Sequence, residues 1–241
     1  MPLPARARAA ISLTYDDALP VHRELVAPEL ARRGLHGTFY APAASTELHD
    51  HRDAWHAIAA DGHELGNHTC FHPCRKRPGG VWPDDAYDLR TYSAKRFIDE
   101  LALADRVLRS IDGRTVRSFA ATCGNLTVGP DGAEIDVTQE SLGYASCIRS
   151  GHQPGPLPLS APPKVLPSLG VDGKTAELAI EAIDRTLATG GWLIILAHGV
   201  GQGTHGLFIA VEEHRRIIDH LAGLGDAVWG APVAEVYAAL A

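Results

Sequence analysis

The chain has 241 residues, 45% of them hydrophobic, and a formal net charge of −7; this suits one large globular domain, 1–241, with a substantial core. Lysines and arginines are scattered apart from Arg75-Lys76-Arg77, which argues against nucleic acid or an anionic membrane as partner. Four cysteines at uneven spacings do not read as a disulfide framework, and no window approaches a transmembrane span. The start, MPLPARARAAISLTYDD, holds no apolar segment of signal-peptide length before the first strand. The expectation is a cytoplasmic protein, although a secreted one trimmed of its leader would read the same.

In chain order, apolar runs alternate with amphipathic stretches. A strand at 9–14 (AAISLT) ends against Asp16 and Asp17, and a helical pattern at 21–33 follows. Strand 36–41 (HGTFYA) and helix 51–61 lead to strand 63–67 (HELGN), which runs into His68. A helix at 90–110 precedes strand 116–121 (VRSFAA), which leads into Thr122-Cys123-Gly124-Asn125. Helix 133–142, strand 144–148 (YASCI), helix 174–189 and strand 192–197 (WLIILA) come next, the last ending at His198. Helix 210–223, strand 226–229 and a helix at 233–240 complete the series. Such alternation implies parallel strands joined by helical crossovers. Polar residues after four of the strands suit the mouth of a β/α barrel, where strand ends converge.

Asp16 and Asp17 close an apolar run, where adjacent carboxylates need a cation, a donor or water to stay ionised. The plain alternative is a solvated turn with Asp17 as a helix N-cap. His68-Thr69-Cys70-Phe71-His72 spaces two histidines four apart, which on a helical turn puts them on one face, able to share a metal. Taken alone, that spacing is a weak signal and fits two ordinary surface histidines better. Cys70 and Cys74 interleave with them and allow a rival, a structural zinc site of two cysteines and two histidines. An extended chain would align all four; a helical turn would send the cysteines to the opposite side.

Thr14-Tyr15-Asp16-Asp17, His68-Thr69-Cys70-Phe71-His72 and Leu196-Ala197-His198 resemble three signature motifs of the NodB-type polysaccharide deacetylases, carbohydrate esterase family 4. Gly37-Thr38-Phe39-Tyr40 and Gly62-His63-Glu64-Leu65-Gly66-Asn67 resemble that family's second and third strands. The resemblance implies an α/β fold, a distorted (β/α) barrel. It also implies that Asp17, His68 and His72 bind a divalent metal, usually Zn2+, with Co2+, Mn2+ or Ni2+ as substitutes. Asp16 would be the general base and His198 the general acid. Hydrolysis of an amide or ester needs an activated water, a stabilised oxyanion and a proton for the leaving group. Two histidines and one aspartate leave coordination positions open for that chemistry. The implied substrate is an N-acetylated amino sugar or oligosaccharide, with another small acylated molecule or an O-acetyl ester as alternatives. A non-catalytic, metal-holding binding protein on the same barrel is a further one.

The chain departs from the family pattern in places. Ala18 stands where the first motif ordinarily ends in glycine, and no Arg, Pro or Tyr occupies 120–123. The family position aligned with Cys123 lends a backbone N–H to the oxyanion hole, and Arg117 is the candidate to replace the base-orienting arginine. The Trp-containing fourth motif has no clear match in 145–172, and Trp192 reads as core. His205, in the glycine-rich loop 199–206, is a candidate for the mouth. The Pro/Gly-rich insertion 73–89, with Trp82 and the basic run, is either a solvated loop or a substrate lid. His63 reads as a core histidine, His49, His51 and His56 as solvated, and Cys123 and Cys147 as small core residues.

Overall fold

In the computed structural model, which describes residues 3–151 and 155–241, strand β1 (Ala9–Asp16) is buried along its whole length. Both of its faces are covered, which is why it reads as a near-continuous apolar run. Ile11, Leu13 and Tyr15 pack outward against the surrounding helices. Ala10 joins Trp192 and Ile194 in a second cluster inside the ring of strands, and the two-residue period turns Ser12, Thr14 and Asp16 the same way.

The remaining strands are β2 (Thr38–Ala41), β3 (Glu64–Asn67), β4 (Phe119–Ala120), β5 (Ile148–Arg149), β6 (Val165–Leu166), β7 (Leu169–Gly170), β8 (Gly191–Ala197) and β9 (Val228–Gly230). They pair in the order β6-β5-β4-β3-β2-β1-β8-β7, all parallel, with β9 added beside the first half of β1. Only Pro167 and Ser168 separate β6 from β7, so 165–170 is one extended stretch. Its first half pairs with β5 and its second half with β8. A single bent strand thus closes the ring, with a proline at the bend, where a missing N–H costs no ladder bond. The fold is α/β, a distorted (β/α) barrel.

The helices between strands are α1 (Ala27–Ala31) after a π-helical turn, α2 (Thr46–Asp50), α3 (Arg52–Ala60), α4 (Ala94–Asp112), α5 (Ala176–Thr189) and α6 (Val211–Gly223), and α7 (Val233–Leu240) follows the last strand. The longest, α4, starts where the Ser93 hydroxyl accepts from the Arg96 N–H and stops at Gly113, whose φ of 72° a side chain would oppose. No helix among the described residues is long and apolar enough to cross a membrane.

Three expectations need correction. The pattern at 133–142 gives helix only over Thr138–Ser141, because Ile135–Asp136 pairs antiparallel with Thr127–Val128 around the turn at Gly129–Gly132. The strand expected at 144–148 begins late, at Ile148, and runs one residue further, to Arg149. The four cysteines do contain a disulfide, Cys74–Cys123, across 49 residues. Cys123 is therefore not a small core residue; it is exposed.

The lower end of the barrel is filled by polar side chains as well as apolar ones. Glu64, buried at the start of β3, accepts from Ser118 N and Oγ with one oxygen and from Thr38 Oγ1 and Ala234 N with the other. Thr38 Oγ1 also accepts from Val233 N. Two of the free N–H groups at the start of α7 are thereby satisfied inside the barrel, with a carboxylate at the positive end of the helix. Glu64→Gln, whose amide must face several donors with an NH2, is expected to cost about 2–3 kcal/mol and lower the Tm by roughly 4–12 °C. Thermal unfolding measures it.

Candidate active site at the carboxyl ends of the strands

In a regular strand Asp16 and Asp17 would face opposite ways. Here Asp17 and Ala18 both have positive φ, 82° and 48°, and the chain turns so that both carboxylates line one cleft of about 600 Å³. The turn therefore does require the conformation that glycine adopts freely, and Ala18 holds it at a cost of about 1–2 kcal/mol. Asp17 N donates to Tyr40 O at 3.0 Å, pinning the turn to β2.

Asp16 is 4% exposed. Its Oδ2 receives Nη2 of Arg149 from the end of β5, across the mouth. Burial would raise this carboxyl, but the Arg149 charge outweighs it, with help from His68 and His198, and Asp16 lies below the usual aspartate value. Its Oδ1 has no hydrogen-bond partner among the described residues. Arg149 was not anticipated; the signal was a charged residue one position past an apolar run. Arg117, the expected replacement, is elsewhere. It is buried beneath α4, bound to Asp105, Asp112, Leu65 O and Arg114 O. Residue 117 sits two positions before β4, on the lower side of the sheet, and cannot reach the mouth.

His68 and His72 converge, but not on a helical turn. Thr69 and His72 have φ of 63° and 54°, which breaks any right-handed helix. The loop nonetheless brings the two rings within 4.8 Å, centroid to centroid. The Nε2 atoms of His68 and His72 lie 3.6 and 3.3 Å from Asp17 Oδ1. His68 Nδ1 donates to Ala120 O at 2.8 Å, so its lone pair is on Nε2, buried and without a partner among the described residues. Burial pushes this imidazole down to about 4, so it is neutral at pH 7. A lone pair aimed at a carboxylate without an intervening positive charge is unfavourable, and ligand atoms of Asp17, His68 and His72 all within 4.8 Å fit a divalent cation between them. The rival site of two cysteines and two histidines does not form: Cys70 is buried with its sulfur on Glu100 O.

His198 follows β8. Its Nδ1 pairs with Asp172 Oδ2 at 2.7 Å and its N–H with Asp172 Oδ1 at 3.0 Å, while Nε2 points to Asp16 Oδ2 at 4.0 Å. Burial alone would lower this imidazole; Asp172, with Asp16 and Asp17, more than reverses that and raises it. Asp172, just beyond β7, was missed because two residues make too short a strand to show a period. His205 stacks on His198 at 5.3 Å, and its Nε2 is 3.7 Å from Asp17 Oδ2. Gly199 permits that fold-back, since a Cβ there would collide with Thr204 Oγ1 and crowd His205.

Trp82 and Cys123 both line the cleft. Trp82 is 56% exposed, its ring 5.9 Å from that of His72. Within the basic run Arg75 pairs with Asp131 and Lys76 with Asp85, while Arg77 reaches the cleft. The insertion is tied at its base by Cys74 N to Tyr87 O and Leu89 N to Cys74 O.

The sequence model of the family described as polysaccharide deacetylase matches residues 5–135, more than half of the chain. The chain belongs to the polysaccharide deacetylase family. No curated protein matches it in sequence. Solved structures of the fold include a peptidoglycan deacetylase from Bacillus subtilis (16% identity, TM-score 0.58, covering 98% of this chain and 92% of that one). A polysaccharide deacetylase from Bacillus cereus is similar at 15% identity and TM-score 0.57, covering 94% and 92%. A carbohydrate esterase family 4 pseudoenzyme from Bacillus anthracis, at 16% identity and TM-score 0.59, covers 97% and 66%. At such identities the likeness is one of fold, and any activity of this chain must be read from its own residues.

Arg149→Met removes the cation that holds Asp16 down, so the carboxyl is expected to titrate at higher pH. Leaving a buried carboxylate unpaired is expected to cost about 3–5 kcal/mol at neutral pH. The loss should shrink near pH ~4, as the carboxyl takes up its proton. Urea unfolding of chelator-treated protein at the two pH values measures both.

Proposed function

We propose that this polysaccharide deacetylase family member is a divalent-metal-dependent hydrolase removing acetyl from an N-acetylated amino sugar or oligosaccharide. The observation that carries the reading is the meeting of three groups in one cleft: Asp17 with His68 and His72, Asp16 with Arg149, and His198, which Asp172 holds from behind. Asp17, His68 and His72 would hold the cation, with Zn2+ the ion assigned here. When bound, the cation supplies a Lewis acid for the acyl oxygen and eases deprotonation of water.

Asp16 serves as general base. Its lowered pKa keeps it ionised at neutral pH, and Arg149 orients it, leaving Oδ1 free to accept the water's proton. The backbone N–H of Cys123 is assigned to the oxyanion, where a backbone donor tolerates any side chain. His198 serves as general acid, with Asp172 fixing the Nδ1–H tautomer so that the proton delivered to the departing amine comes from Nε2. Trp82, an exposed face at the rim, offers a sugar ring a stacking surface. His205 lies against the assigned acid and bounds the cleft. An O-acetyl ester would use the same residues, with an alkoxide as leaving group in place of the amine.

Acetate release from N- and O-acetylated mono- and oligosaccharides is expected to vanish on chelation and return with zinc. In Asp16→Asn the rate should fall by about 10²–10⁴. Metal-loaded protein that releases no acetate would refute the reading.

The raised His198 pKa sets the alkaline limit, because activity is lost as pH rises through it and the acid deprotonates. Asp172→Asn is therefore expected to move the alkaline limb of kcat/KM to lower pH while the acid limb stays in place. A pH–rate profile measures this.

A further inference from the structure

Cys123 lines the cleft and is joined to the buried Cys74, and neither sulfur has a part in the hydrolysis above. Cys74 is two residues beyond His72 on the same loop. Its Sγ is 3.7 Å from His72 Nδ1, the ring nitrogen not turned to Asp17. The ligand atoms of His72, Cys74 and Cys123 all lie within 4.8 Å of one another. With metal–sulfur bonds of about 2.3 Å and metal–nitrogen bonds of about 2.0–2.1 Å, tetrahedral ligands are roughly 3.3–3.8 Å apart. The Cys74–His72 separation already falls in that range, and opening the sulfur–sulfur bond lets the Cys123 thiol move out to match.

We propose that reduction of the Cys74–Cys123 disulfide creates a second cation site, built from both thiolates and His72 Nδ1, for a thiophilic divalent cation such as Zn2+. Two sulfurs and one imidazole nitrogen favour such ions over Mg2+ or Ca2+, and a solvent molecule completes the fourth position. The exposed Cys123 gives the ion a way in. The remaining cysteines cannot substitute: both are buried, Cys70 with its sulfur on Glu100 O and Cys147 in the cluster inside the barrel.

The chemistry balances with a dithiol as reductant. The dithiol loses two electrons and two protons as its own disulfide forms; the Cys74–Cys123 bond breaks and each sulfur gains a hydrogen. Cation binding then releases those two protons to solvent.

The two sites compete for one side chain. His72 Nε2 is 3.3 Å from Asp17 Oδ1, whereas Nδ1 is the atom facing Cys74. A neutral imidazole has one lone pair, so an ion held by Nδ1 leaves Nε2 as an N–H donor, unable to ligate beside Asp17 and His68. The competition rests on the metal role assigned to Asp17, His68 and His72; the thiolate site does not.

The test is a Co2+ titration of the full chain, oxidised and after reduction by a dithiol that is then removed. The readout is the near-ultraviolet thiolate-to-cobalt charge-transfer band. The band is expected only in reduced protein, and is expected to be absent after S-alkylation of the reduced protein and in Cys123→Ser. In His72→Ala its half-saturation should weaken roughly 10–100-fold or more, since even partners of metal ligands cost that much. Should Cys123→Ser not fold, the alkylated parent protein carries the same comparison. No band in protein whose thiol count has risen by two on reduction would overturn the site. A band equally tight in His72→Ala would overturn the competition. The readout needs no substrate, so failure of acetyl hydrolysis and failure of this site are separate results.

Discussion

Two adjacent carboxylates at the end of one buried strand set the conditions for everything at the mouth of this barrel. Side by side and shielded from water, Asp16 and Asp17 repel each other by an amount of the order of a few kcal/mol. Each requires its own positive neighbour. Arg149 answers Asp16. Asp17 is surrounded by His68, His72 and His205, and His68, depressed to about 4 by burial, brings no charge at neutral pH. The two aspartates are thus driven to different chemistry by their surroundings, one held ionised by a fixed guanidinium and the other left facing the His68 lone pair that a cation would satisfy.

The guanidinium could come from more than one strand, because strand ends converge. Position 120, at the upper end of β4, is alanine, and the neighbouring strand β5 delivers Arg149 to the Asp16 carboxylate. Arg117 shares β4's chain segment but not its upper end, and it ties α4 to the underside of the sheet instead. A side chain's place in a barrel site depends on its height along the strand more than on which strand bears it.

That rule also explains what was legible in the sequence. Long elements with a clear period, such as β1, β8, α4 and α6, are found within a few residues of where their patterns put them. So are Asp16, Asp17, His68 and His198, which stand at or just past the ends of such elements. Arg149, Asp172 and the closing stretch 165–170 were hidden because strands of two residues have no period to read. Cys123 was misread because the disulfide joins residues 49 apart, and a pairing that depends on tertiary approach leaves no trace in spacing. His68 and His72 met as expected but by another route, through left-handed residues in place of a helical turn.

The bent strand that closes the ring also carries Asp172, just after its second half pairs with β8, and β8 ends in His198. Completing the barrel and orienting the proposed proton donor are therefore a single event. A chain in which 165–170 has not docked would still bring Asp17 together with His68 and His72 through β1 and β3, but would leave the imidazole of His198 without its carboxylate. The proposed ion ligands thus rest on β1 and β3, whereas the role assigned to His198 depends on the seam that closes the ring.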